Sequence, residues 1–147
     1  MLLYQINKIE GGSMYLNDTT VMYVEDDIPT QKLIKKILKR HCKEVFIAND
    51  GVEGLALYKK IHPNIVLSDI VMPNMSGIMM SEKIRELNPK QIISLFTAYN
   101  EPEFKEKALA LNIDAYIMKP LDEKQFFTSL NYLAMAFHTD IEIKKEI

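Results

Sequence analysis

Carboxylates, one hydroxyl and one lysine stand where apolar runs of this chain end. Glu25, Asp26 and Asp27 follow "VMYV", Asp69 follows "IVLS", Thr97 follows "IISLF", and Lys119-Pro120 follows "AYIM". An isolated carboxylate at the end of a buried run is costly. Several held together cannot all stay ionised cheaply, so a proton or a cation must intervene. Oxygen ligands of this kind suit a hard divalent cation, and Mg²⁺ uses one or two carboxylates together with waters and phosphate oxygens. That chemistry requires the acids to meet on one rim.

The elements that would bring them together are legible. "TVMYV" (20 to 24), "VFIA" (45 to 48), "IVLS" (65 to 68), "IISLF" (92 to 96) and "AYIM" (115 to 118) read as short buried strands. Helical periodicity fills the gaps between them. Leu33, Ile34, Ile37 and Leu38 form one face of the first helix, and Leu55, Tyr58 and Ile61 mark the second. Met80, Ile84 and Leu87 mark the third, Phe104, Ala108 and Leu111 the fourth, and Phe126, Leu130, Leu133 and Phe137 the fifth. Asp27 with Pro29 suits a helix start, Pro63 and Pro89 suit helix stops, and Asn112 suits a left-handed helix end. Strands that alternate with helices imply an open parallel α/β sheet covered on both faces. Ligands of such sheets bind beyond the carboxyl ends of the strands, which is where the acids stand.

Composition narrows the class. The 147 residues suit one domain, with 48% hydrophobic and 26% charged residues, as in ordinary globular proteins. A net charge of −2 gives no basic surface for nucleic acid. Cys42 is the only cysteine, which excludes an intramolecular disulfide and a thiolate metal cluster. No apolar stretch is long enough to span a bilayer, and "MLLYQINKIE" lacks the form of a signal peptide. A cytoplasmic domain is therefore expected. His41, His62 and His138 are scattered without ligand spacing and read as surface residues, and the methionines read as core and adaptable surface and not as a cofactor box.

The motifs "VMYVEDD", "ANDGVEGL", "IVLSDIVMPNMSG", "LFTAY" and "AYIMKP" resemble, in order and spacing, those of response-regulator receiver domains of bacterial two-component signalling. Asp26 and Asp69 are 43 residues apart, Asp69 and Thr97 are 28 apart, and Thr97 and Lys119 are 22 apart. The resemblance covers about residues 19–138. It leaves 1–18 as an N-terminal extension or cloning leader, with a joint at Gly11-Gly12-Ser13-Met14, and 139–147 as a tail or linker. It implies a flavodoxin-like, doubly wound sheet of five strands in order 2-1-3-4-5 with five helices. The implied function is a phosphorelay switch and not an enzyme in the usual sense. Asp69 would accept phosphate from a histidine kinase or histidine phosphotransfer protein. Asp26 and Asp69 would ligate Mg²⁺ with the backbone carbonyl of Val71, and Glu25 would act mainly through water.

By the same resemblance Lys119 and Thr97 would contact the phosphoryl oxygens, and the Lys119–Pro120 peptide would be cis. Thr97 and Tyr116 would relay the change to a surface formed by the fourth helix, fifth strand and fifth helix. An effector domain or a second copy would meet that surface, with neither direct nucleic-acid binding nor a membrane involved. "DAY" at 114 to 116 departs from the "DDY" that winged-helix regulators often carry. The alternative is a receiver-like docking module that takes no phosphate. Other classes fit worse. The chain lacks the P-loop pattern, has valine at position 71 where a haloacid-dehalogenase-like phosphatase needs aspartate, and has acids where a flavodoxin needs a phosphate loop.

Overall fold

Runs of β-branched and long apolar residues, each closed by polar turn residues, form five parallel strands in the computed structural model, which describes residues 15–146, with side chains through 139. In chain order these are β1 (Thr20–Val24), α1 (Ile28–His41), β2 (Glu44–Ala48), α2 (Gly51–Ile61), β3 (Ile65–Asp69), α3 (Gly77–Leu87), β4 (Ile92–Thr97), α4 (Pro102–Ala110), β5 (Ala115–Met118) and α5 (Glu123–Glu146). The sheet order is β2-β1-β3-β4-β5, as the resemblance implied. Every residue of β3 is buried, and it pairs with β1 on one side and β4 on the other.

The alternation of side chains along the strands divides the core in two. Met22, Val24, Val66, Ile93 and Leu95 face α2, α3 and α4 through Tyr58, Met80, Ile84 and Ala108. Val21, Tyr23, Ile65, Leu67 and Phe96 face α1 and α5 through Ile34, Leu38, Phe126, Leu130 and Leu133. The expected helix faces need two corrections. Leu33 is exposed, because Ile34 and Leu38, four residues apart, carry the buried stripe and Leu33 is turned about 100° from Ile34. Leu87 is exposed as well, since it is the last residue of α3 and has turned off the stripe marked by Met80 and Ile84.

Side-chain caps fix the helix starts next to the strand ends. Asp27 accepts from Thr30 N at 3.1 Å, Asp50 from Glu53 N at 2.9 Å and Ser76 from Met79 N at 3.1 Å. Asn112, with φ 54°, is left-handed beyond α4, and His62, with φ 46°, caps α2 just before Pro63. At the amino end a single 3-10 turn, Leu16–Asp18, places Leu16 in the α1/α5 core with no exposure. Burial of a leucine stabilises by about 2 kcal/mol, so the last residues of the expected extension belong to the packed unit. The Gly11–Met14 joint lies outside the described residues. At the other end α5 runs on to Glu146, so the backbone of the expected tail is helical.

Candidate functional site

Parallel register brings four strand ends to one rim. Glu25 and Asp26 follow β1, Asp69 ends β3, Thr97 ends β4, and Lys119 follows β5. Glu25, Asp26 and Asp69 each offer a carboxylate oxygen, and these oxygens lie within 4.8 Å of one another. Mg²⁺ sits about 2.1 Å from each ligand, so opposite ligands are about 4.2 Å apart. Small side-chain movements would close these three acids on such an ion, and the donor set is the hard oxygen set it prefers.

Lys119 enters the same cluster. Its Nζ donates to Glu25 Oε1 at 3.1 Å and to Asp69 Oδ2 at 3.1 Å. The Lys119–Pro120 peptide is cis, as expected. Burial works against the lysine's charge, but the bonds and charges of Glu25 and Asp69 outweigh it and hold the ammonium above the usual lysine value. Glu25 is fully buried. That burial, reinforced by the charge of Asp69 and opposed by Lys119, pushes its carboxyl above the usual range.

Asp69 is held by the loop that follows it. Ile70 N donates to Asp69 Oδ1 at 2.9 Å, and Gly77 N closes the loop onto Ile70 O at 2.8 Å. A Cβ on Gly77 would stand 2.1 Å from the Asp69 carbonyl oxygen, so only glycine permits this approach. Val71 and Tyr99 flank the site and are about half exposed. The Thr97 hydroxyl is engaged with the backbone of Tyr99, accepting from its N–H at 3.0 Å. Tyr116 pairs in register with Leu95 and is half-buried against the α2–α4 side of the core.

Asp27 is a helix cap, as its position suggested, and hydrogen bonds from the Thr30 side chain and backbone hold its carboxyl below the usual range. His41 packs edge-on against Phe127 at 4.4 Å between ring centroids. Burial pushes the Cys42 thiol up to about 12, which suits a packed side chain and not a nucleophile. His138 is half-buried and not the surface residue expected. Thr19 Oγ1 gives its proton to Tyr15 O at 2.6 Å and so accepts from His138 Nε2 at 3.1 Å.

Several contributors escaped the sequence reading. Tyr23 donates its hydroxyl to Glu25 Oε1 at 3.1 Å. Burial and the nearby Glu25 charge raise that phenol well above its ordinary value, so it remains a donor. Gln31 Nε2 bridges Glu25 O at 2.8 Å and Asn49 Oδ1 at 2.9 Å. Asn74, left-handed at φ 68°, donates to Asp50 Oδ2 at 2.8 Å and ties the loop after Asp69 to the start of α2. The spacing of two between Tyr23 in β1 and Glu25 just past its end was a local signal for the first of these contacts, whereas the loop-to-loop bonds depend on strand order and had no local signal.

Comparisons with known proteins agree with this geometry. Residues 21–131 match the family model described as the response regulator receiver domain. The chemotaxis protein CheY of Treponema pallidum is 39% identical over 108 residues, covering 71% of this chain and 75% of that protein. The regulatory protein AtoC of Escherichia coli is 31% identical over 127 residues, which are 86% of this chain but 27% of that protein. Among solved structures, a CheY-like response regulator receiver domain protein from Methanospirillum hungatei superposes with a TM-score of 0.80 at 29% identity, covering 84% of this chain and 98% of that one. With its sheet order, its acid cluster and its inward-turned lysine, the chain belongs to the response-regulator receiver domain family.

Proposed function

We propose that this receiver is a phospho-acceptor switch in which Asp69 takes a phosphoryl group from a histidine kinase or a histidine phosphotransfer protein. The observation that carries the reading is the meeting of Asp69 with Glu25, Asp26 and Lys119, whose Nζ lies 3.1 Å from both Glu25 and Asp69. Phosphoryl transfer needs positioning and charge neutralisation more than covalent help. Asp69 Oδ2, which Lys119 holds at rest, forms the new O–P bond as the P–N bond to the donor imidazole breaks, and the imidazole leaves with the bond's electron pair and takes up a proton. Lys119 moves from the carboxylates to the incoming phosphoryl oxygens. Glu25, Asp26, Asp69 and the Val71 carbonyl would hold Mg²⁺, which when bound neutralises charge on the transferred group.

Receiver domains are signalling switches, and the expected output here is a population shift. Thr97 turns from Tyr99 to the phosphate, Tyr116 turns inward, and the α4-β5-α5 surface changes for an effector domain or a second copy. Among the described residues no helix is long and apolar enough to cross a membrane. A histidine kinase or phosphotransfer donor, as proposed, would place the switch in the cytoplasm. Incubation with acetyl phosphate and Mg²⁺ should add one phosphoryl mass to the intact chain. Asp69→Asn or chelation of the metal should abolish the addition. Unchanged labelling of Asp69→Asn would sink the assignment.

A further inference from the structure

A fully buried strand residue carries a hydroxyl where an aliphatic side chain would fill the space without one. Tyr23 lies in β1, flanked in register by Ile47 and Leu67, with its ring against Phe96 at 6.4 Å between centroids. Residues two apart on a strand share a face, about 6.6 Å from one another, a distance the phenol ring covers. Its hydroxyl reaches Glu25 Oε1 at 3.1 Å, and Lys119 Nζ donates to the same oxygen at 3.1 Å. Glu25 Oε2 receives a long contact of 3.4 Å from Asp27 N. One carboxylate oxygen is thus fixed by two donors and the other is turned toward the rim. A shorter acid at position 25 would withdraw from the phenol by one methylene.

We infer that Tyr23 is a positioning residue of the cation site: its hydroxyl clamps Glu25 from beneath the rim and sets how well the acid cluster binds a divalent cation. The inference rests on the reading that Glu25, Asp26 and Asp69 hold that cation. Partners behind a ligating carboxylate typically change metal affinity ten- to a hundredfold when removed. The clamp also fixes Lys119 indirectly, because both donors share one oxygen.

The test is an NMR titration of the full chain with Mg²⁺ alone, read on the backbone amides of the rim, before any phosphate is added. Tyr23→Phe keeps the packed ring and removes the hydroxyl, and it should weaken Mg²⁺ binding roughly tenfold or more. Glu25→Asp should weaken it too, and Tyr23→Phe should then have no further effect, since the bond it removes is already gone. Unchanged affinity in Tyr23→Phe overturns the inference while leaving the site reading intact. An equal loss in both backgrounds overturns it as well, because the residue would then act through packing and not through Glu25. Failure of the unaltered protein to bind Mg²⁺ overturns the site reading and this inference together.

Discussion

The Thr97 hydroxyl accepts a hydrogen bond from Tyr99 N at 3.0 Å, so it must exchange one partner for another if it is to report a phosphate on Asp69. Thr97→Ala removes that exchange but leaves the acid cluster and Lys119 in place. We expect the variant to take phosphate at Asp69 and to lose much of the response around Tyr116 and α4. NMR shifts of the phosphorylated proteins check this, and identical α4 shifts in the two would remove Thr97 as the relay.

The lifetime of the phosphorylated state should be set by Val71 and Tyr99, two residues past Asp69 and Thr97 respectively. Both are about half exposed beside the site. Valine cannot orient an attacking water, and a tyrosine ring is bulky enough to shield its approach. The phosphate is therefore expected to be long-lived without a phosphatase. Introducing Val71→Asn with Tyr99→Glu should shorten the lifetime about tenfold, which is about 1.4 kcal/mol of barrier. A natural lifetime of seconds, or no change in the double variant, counts against this.

Gly77 tests the loop that holds Asp69. A Cβ there would meet the Asp69 carbonyl oxygen at 2.1 Å, a backbone atom that cannot swing aside as a side chain would. Gly77→Ala should destabilise the fold by about 1–3 kcal/mol, the usual range for overpacking. It should also slow acetyl phosphate labelling of what remains folded. Chemical denaturation and intact mass measure the two effects separately.

Asp50 gives a pH dependence whose sign is fixed. Hydrogen bonds from the Glu53 backbone and the Asn74 side chain hold its carboxyl below the usual range. A depressed folded-state value means that the cap contributes above the unfolded value, about 3.9, and is lost as pH falls through the folded one. Asp50→Ala should therefore lower Tm at pH 7. The gap from the unaltered protein should close at pH values below about 4. A gap that persists undiminished in acid would show that the carboxylate is not the stabilising group.

The strands, and the acids and lysine that end them, were readable because apolar runs have sharp ends and parallel order sends those ends to one rim. Asp26, Asp69 and Lys119 meet for that reason, although 50 positions separate the last two. Leu33 was misassigned because it is turned about 100° from Ile34 and off the buried stripe, and the sequence does not say which side of that stripe meets the core. Leu16 was missed because its short apolar run shows neither helix nor strand periodicity, and its burial depends on α5 returning beside the 3-10 turn that carries it. The bond from Asn74 to Asp50 joins two loops 24 positions apart, and nothing local in either loop announces it. Tyr23 looked like strand filling, and its second role depended on the side-chain length of Glu25.

The burial and double-sided pairing of β3 have a consequence for exchange of backbone hydrogens with solvent. Its amides can exchange only when the whole sheet opens, whereas those of half-buried β5, at the sheet edge, can exchange through local opening. Among the described residues, Asp69 is thus expected on one of the slow-exchanging interior strands and Tyr116 on a faster-exchanging edge strand. On the proposed function, the acceptor would stay still while its reporter is free to move, so a chemical event at Asp69 would be spent on the edge of the sheet and not on its centre.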